Sequence, residues 1–451
     1  MNPRQAIIPG YLVFSLLLGG ASAAGYMANM LLQLVAVALL LFAFGTPRGS
    51  PFPPPARQLM TLLVLLLAIF VIQLVPLPPA LWTALPGRHD IAEGYRLLGV
   101  QPPWMPISLA PDDTIFSLFW LLPAFAAMLG ILRLGDYRAS WIAWAVVGVA
   151  ILSIVLGGLQ VAAGGIWYLY RITNRGVAVG FFANANHLAT LLLMVIPLLA
   201  ALLSIEWQKG ERRRSSGLTM IIASLFVVLL VGLALNRSLA GWGLAVPVAM
   251  ASAALLFAGR KLPRWVPIAA ALIGIAAIAA VFTTPFGNNL TGDDARGSSL
   301  SRYTSFTRTS AKAVDYLPFG SGVSTFVEVY RDGEDTNSTT RFFMNHAHSD
   351  FLEVALETGL PGIALLLLFL FWWARRTFAI WRNPDADPFA RAATIASAAV
   401  IAHSLVDYPL RTAAISALFA AMLALMAEPR VRTRRSRDGG EGPGQARHLT
   451  L

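Results

Sequence analysis

The sequence predicts an all-α polytopic membrane protein of about 12 transmembrane helices, with one large loop outside the membrane that contains short helices. Three observations carry that expectation. Hydrophobic residues fill 57% of the 451 positions and charged residues only 13%, where a soluble chain carries roughly a quarter. Apolar runs of about 20 residues recur from end to end, the length an α-helix needs to cross a bilayer. Lysines and arginines gather in short clusters between those runs, as membrane topology requires. That placement also argues against nucleic acid as the reason for the net charge of +11. The absence of cysteine excludes disulfides, thiolate metal sites and cysteine nucleophiles.

The first apolar run, residues 7–23, ends in Ala21-Ser-Ala23, which resembles a signal-peptidase site. A second run, 25–44, follows almost at once, so a hairpin of two spans is expected. The Pro-rich segment 47–57 carries Arg48 and Arg57, and a third span, 58–75, is stopped by Pro76 and Pro78. Residues 76–112 read as a polar loop whose Trp82 and Trp104 suit a membrane interface. Spans four to nine are expected at 114–132, 141–160, 187–206, 218–235, 240–258 and 265–283. The longest polar interval, 285–358, comes next. Spans ten to twelve follow at 360–374, 390–406 and 411–427, the last two flanking the turn Asp407-Tyr-Pro-Leu-Arg411. A basic, Gly-rich tail closes the chain. The division is therefore 1–284 membrane, 285–358 external loop, 359–427 membrane and 428–451 tail, which reads as disordered.

Basic clusters follow the even-numbered spans: Arg48/Arg57, Arg133/Arg138, Lys209/Arg212–Arg214, Arg260/Arg264 and Arg375/Arg376. Short loops rich in Lys and Arg face the cytoplasm, so both termini are expected there. Parity then turns the loops 76–112, 161–185 and 285–358 outward.

That outer face collects the polar groups able to do chemistry. His346 and His348 stand one residue apart in Arg341-Phe-Phe-Met-Asn-His-Ala-His-Ser-Asp, ahead of a helical pattern of Phe351, Leu352, Ala355 and Leu356. Ser349 and Asp350 suit the cap and first turn of that helix, and Gly359-Leu-Pro-Gly362 breaks it. An imidazole there is well placed for proton transfer, though interfacial loop histidines would look the same. Arg237, between Asn236 and Ser238, ends an outward-running span; it reads as a snorkelling side chain or as a planar donor for phosphate oxygens. Arg171, Arg175 and His187 lie near the start of span six, where Asn184-Ala-Asn186 is a helix cap or a polar pocket wall. Arg302 and Arg308 lie in the long loop, on an amphipathic stretch from Ser301 whose apolar side would be Phe306, Ala313 and Tyr316. The acidic pairs Asp293-Asp294 and Glu334-Asp335 read as solvated faces. No Walker sequence, phosphate-binding glycine loop or zinc motif is present, so no metal or cofactor is expected.

Several of these places, in order, resemble the O-antigen ligase and O-antigen polymerase superfamily. His348-Ser349, a nine-residue gap and Gly359-x-x-Gly362 are similar to the family signature. Gly180-Phe-Phe-Ala-Asn-Ala-Asn-His-Leu-Ala189 is similar to its Asn-rich start of a central span. Asn236-Arg237-Ser sits where the family has a Ser-Arg pair, and Arg302 with Pro318-Phe-Gly-Ser-Gly322 supplies the fourth likeness.

The resemblance implies a multi-pass protein of the bacterial inner membrane with its active site facing the periplasm. It implies a glycan donor carried on undecaprenyl pyrophosphate and a glycan or lipid A core acceptor, with inverting, metal-independent transfer. His348 would deprotonate the acceptor hydroxyl, with His346 behind it or exchanging roles. Arg237 and Arg175 would hold the pyrophosphate, assisted by Arg302, with Asn186 beside them. Ligation, polymerisation and transfer to protein share these motifs. The alternative from another class is a transporter or flippase for a polysaccharide precursor, which would place ionisable groups in mid-span.

Overall fold

A computed structural model describes residues 4–22, 25–47, 51–135, 137–208, 212–257, 272, 302–334 and 344–428. It is mostly helical. In order come α1 (Arg4–Leu18), α2 (Tyr26–Gly45), α3 (Pro54–Leu74), α4 (Pro79–Trp82), α5 (His89–Leu97), α6 (Pro111–Leu134), α7 (Ala139–Ala163), α8 (Ala185–Gln208), α9 (Arg212–Asn236) and α10 (Leu239–Leu256). Then follow α11 (Arg302–Asp315), α12 (Phe326–Asp332), α13 (Asp350–Arg382), α14 (Pro388–His403) and α15 (Ala413–Ala427). The β structure among the described residues is one two-stranded antiparallel hairpin, β1 (Pro76–Leu77) on β2 (Met105–Pro106).

Eight described helices are long and apolar enough to cross a membrane: α2, α3, α6, α7, α8, α9, α10 and α13. Apart from residue 272, the expected ninth span, 265–283, lies outside the described residues, as do Asp293-Asp294, Asp335, Arg341 and the basic tail. Three further expected spans appear as shorter helices, α1 and α15 of 15 residues and α14 of 16. At 1.5 Å per residue they are about 23 Å long, short of the roughly 30 Å hydrocarbon core. All fifteen residues of α15 are buried, and its alanines and Ser416 let neighbours approach closely. It packs on α6, α14 and α1, while α8 packs on α14, α10, α9 and α7. These two helices form the centre of the bundle.

The stretch expected as a polar loop at 76–112 is ordered as the hairpin, α4 and α5, and together with α11 and α12 it makes a cap. Trp82 is turned into the protein: it is 2% exposed, donates Nε1–H to Pro106 O (2.8 Å) and lies under the Arg88 guanidinium. Arg88 is itself buried, between Trp82 and Tyr316, and burial pushes its pKa down to about 10. Trp104 remains exposed.

The cap is fastened to α13 at a break in that helix. Gly359 adopts φ 58°, ψ −148°, so its turn is not helical. The break frees backbone acceptors: Leu356 O takes Ser321 N (3.0 Å), and Glu357 O takes Gly322 N (2.9 Å) and Gln73 Nε2 (2.8 Å). Leu360 N donates to Pro318 O (2.8 Å), and a Cβ at Gly359 would overlap that carbonyl. The Pro318-Phe-Gly-Ser-Gly322 turn is thus the plug for the kink. Along α11, Ser305, Thr309 and Ala313 are buried, with Tyr316 beyond. Phe306, expected on the same side, packs instead on Ala240. Glu334, expected as solvated, is paired with Arg308 (3.6 Å).

Candidate active site

The site is built on the first turns of α13. Ser349 caps the helix, its Oγ accepting Leu352 N (3.4 Å). Its neighbour His348 has φ 56°, a left-handed conformation that costs a non-glycine residue roughly 1–3 kcal/mol. That conformation sets the ring against the α14–α15 turn: His348 Nδ1 is 3.4 Å from Asp407 Oδ1. Asp407 is fully buried, and its Oδ1 also accepts Tyr408 N (3.0 Å). Burial alone would raise the Asp407 carboxyl, but the imidazoles of His348, His187 and His403 outweigh it and hold the group below the ordinary carboxylate range.

His346 has its own carboxylate. Its Nδ1 is 3.2 Å from Glu353, which also accepts Ala347 N at 2.7 Å, so one buried side chain fixes both the ring and the backbone leading to His348. Asp350, Glu353 and Glu357 fall on one face of α13. Arg411 lies among them, 3.0 Å from Glu353, 3.0 Å from Glu357 and 3.7 Å from Asp350. Burial would lower the Arg411 pKa, but the three carboxylates raise it above the ordinary arginine value. Asp350 N donates to Ser404 O (3.0 Å) and Asp407 O (3.2 Å), and Ser404 Oγ donates to Asp350 Oδ2 (2.7 Å). The α14–α15 turn is thereby pinned to the start of α13, which determines where Asp407 stands relative to His348.

Tyr408 is the hub of the cluster. Its ring is 4.3 Å from that of His346 and 5.1 Å from those of His348 and His187. Its hydroxyl accepts Asn184 Nδ2 (3.4 Å), and burial followed by the Asp407 charge raises its pKa. His403 hydrogen-bonds Thr190 through Nδ1 (2.8 Å) behind it.

The α8 side brings in the remaining expected residues. Asn184 Oδ1 accepts Asn186 N (2.9 Å), as a helix cap does, while Asn186 Oδ1 accepts Ser238 Oγ (2.7 Å) and ties the segment to the α9–α10 turn. Asn236 Nδ2 donates to Ala178 O (2.8 Å) and Ala185 O (2.6 Å), and Ser238 caps α10 through Gly241 N (3.0 Å). With both neighbours turned inward, Arg237 stands exposed at φ 57°. Asn174 Oδ1 accepts Ala185 N (2.9 Å), which brings the adjacent Arg175 to the same end of α8; Arg175 is exposed, its guanidinium 5.7 Å from the Tyr168 ring centre. Arg302 Nε donates to Val406 O (3.2 Å), one residue from Asp407.

His348, His346 and Arg302 therefore meet directly at the α14–α15 turn. Asn186 joins them through His187 and Tyr408. Arg237, between α9 and α10, and Arg175, ahead of α8, are tied to the start of α8 through their neighbours Asn236, Ser238 and Asn174, and no hydrogen bond or ion pair joins either to His346 or His348 among the described residues. Asp407, Tyr408, Glu353 and Arg411 were not foreseen as site residues. The spacing of Asp350, Glu353 and Glu357 was a usable signal: three carboxylates on one face of an otherwise apolar helix demand a cation. A cavity of about 920 Å³ reaches His346 and Arg411 from between α2 and α6. Its walls include none of Arg237, Arg175 or Arg302.

The fold and site define a class: a multi-pass helical membrane protein with carboxylate-backed imidazoles and exposed arginines at the same end of the bundle. Residues 224–367 match the family model described as O-antigen ligase, a stretch that holds Arg237, Arg302, His346 and His348. The match supports the likeness to the O-antigen ligase and polymerase superfamily over that stretch. No curated protein matches the chain.

Proposed function

We propose that this protein transfers a glycan from undecaprenyl pyrophosphate to an acceptor hydroxyl at the periplasmic face of the bacterial inner membrane. The O-antigen ligase domain supports glycosyl transfer as the general activity. The observation that carries the finer reading is His348 held against the buried Asp407, with Arg302 on the neighbouring carbonyl. A carboxylate at Nδ1 favours the tautomer protonated there and leaves Nε2 free to take a proton. In the proposed reaction that proton comes from the acceptor hydroxyl. The oxygen bonds to the anomeric carbon from the face opposite the leaving group, and the bond to pyrophosphate breaks with its electron pair leaving on phosphate. Inversion follows from that single displacement. Arg237, Arg175 and Arg302 stabilise the departing charge, since planar guanidinium donors match phosphate oxygens. The chemistry needs no metal or cofactor.

Transport is not favoured. The buried ionisable groups of this cluster gather at the starts of α8 and α13, the end of α14 and the α14–α15 turn, rather than in mid-span. The deciding experiment is transfer by purified protein from an undecaprenyl-pyrophosphate glycan, with and without lipid A core. Product on the core identifies a ligase, a ladder of longer lipid-linked chains identifies a polymerase, and no product with either acceptor contradicts the proposal.

A further inference from the structure

Thr190 of α8 and His403 at the end of α14 are each 0% exposed. One hydrogen bond joins them, between Thr190 Oγ1 and His403 Nδ1 at 2.8 Å. Proton counting gives its direction. The Thr190 hydroxyl has one proton, and that proton goes to Asn186 O (2.9 Å), a carbonyl oxygen that can only accept. The proton of the 2.8 Å bond therefore belongs to the imidazole, so His403 donates from Nδ1 and Thr190 accepts. Among the described residues no hydrogen-bond partner meets His403 Nε2, and an unpaired charge is costly to bury. The ring is thus the neutral tautomer protonated at Nδ1.

That bond is the middle link of a chain between two parts of the site. On one side Asn186 Oδ1 accepts Ser238 Oγ (2.7 Å), and Ser238 is the residue after Arg237. On the other side His403 O accepts Asp407 N (2.9 Å), and Asp407 Oδ1 stands 3.4 Å from His348 Nδ1. Arg237 and His348 lie at the two ends, and both have a left-handed backbone, with φ of 57° and 56°. Such strain persists only where the surroundings over-determine it. Ser238 and Asp407 hold the two ends locally. The Thr190–His403 bond fixes one end against the other where α8 packs on α14.

We propose that Thr190 and His403 are positioning residues, whose buried hydrogen bond sets the separation between His348, the base, and Arg237, the arginine that meets the phosphate. Both side chains are enclosed by protein, so they act through the residues they hold rather than on substrate. In a single displacement the attacking oxygen and the leaving pyrophosphate lie on opposite sides of one carbon. The base and the arginine must therefore keep a fixed spacing while the bond is made and broken. Holding the donor needs the arginine alone, so the buried bond governs turnover more than donor affinity. This assignment rests on the glycosyl-transfer reading above and adds what joins its two halves.

The test uses the full chain in lipid nanodiscs, with histidine rings labelled with nitrogen-15 for NMR and initial rates of transfer measured on the same samples. The His403 signal, identified among the six histidines by its loss in His403→Leu, is expected to show the Nδ1-protonated tautomer. It should shift in Thr190→Val and hold in Thr190→Ser, which keeps the hydroxyl. Rates are expressed per molecule competent to bind donor, which separates turnover from unfolding. On that basis Thr190→Val should lower kcat about tenfold, the scale of a small misplacement of reacting groups, while KM for the undecaprenyl-pyrophosphate glycan holds. Thr190→Ser should recover most of the loss. Thr190→Val combined with His403→Leu should be no slower than the slower single variant, because each removes the same bond. If valine prevents folding, Thr190→Ala takes its place with the same expectation. A His403 ring protonated at Nε2 or at both nitrogens would overturn the proposal. So would a Thr190→Val protein that loses thermal stability but keeps its kcat, which would make the bond structural only. The ring signal is read without turnover, so the expected tautomer in a protein that transfers no glycan contradicts the glycosyl-transfer reading and leaves the α8–α14 bond standing.

Discussion

Arg411 and Arg237 are the same side chain in opposite settings. Arg411 sits among three buried carboxylates in the α14–α15 turn. Arg237 stands exposed on a left-handed turn between α9 and α10, and among the described residues no carboxylate pairs with it. The turn around Arg237 is held by its neighbours Asn236 and Ser238, so its own guanidinium is not consumed in holding the fold. One arginine fixes the α14–α15 turn against α13; the other stands exposed, and in the proposed reaction it meets an anion from outside. Charge by itself did not distinguish them. The distribution of acidic partners does.

Variants of the two arginines should separate along that line. Arg411→Met leaves Asp350, Glu353 and Glu357 without their cation, and breaking a buried ion pair typically costs about 3–5 kcal/mol. Thermal unfolding in detergent should show a large loss of stability for this variant. Arg237→Ala should change stability by no more than about 0.5 kcal/mol, as at other exposed positions. Equal losses in the two variants would end the comparison.

The next largest effect should be on turnover. Arg237→Ala is expected to lower transfer roughly 100-fold, the scale of losing one donor to a developing anion. Arg237→Lys should recover only part of it, because the planar fork is gone. Initial rates at saturating acceptor measure both; full recovery by lysine would show that point charge alone suffices. The smallest effect should come from Ser238→Ala, which removes the α10 cap and the bond to Asn186 (2.7 Å). About 1 kcal/mol of stability should be lost, read from the unfolding midpoint. A drop in transfer far beyond that loss would show that Ser238 holds Arg237 in register.

What could be read from the chain beforehand depended on how local the cause was. The apolar runs were legible because bilayer thickness dictates their length. The Ser349 cap and the break at Gly359 were legible because each is encoded within a few neighbouring residues. The ordered cap at 76–112 was not, because Arg88 joins Trp82 to Tyr316 and Gly320 across more than two hundred residues. The site divides in the same way. His346, His348, Arg237 and Arg302 stood out as polar groups in an apolar chain. Asp407 did not, since nothing near it in sequence announces an imidazole 3.4 Å away. The role of Tyr408 was equally hidden, because its three histidine neighbours come from α8 and the segment before α13.

The most direct test of the account is single-turnover transfer by His348→Ala, with binding of the undecaprenyl-pyrophosphate donor measured on the same purified sample. A general base contributes typically 10²–10⁴-fold, so transfer should fall by at least about 100-fold while donor affinity and protein abundance in the membrane hold. Transfer at the wild-type rate would contradict the assignment of His348 as the base.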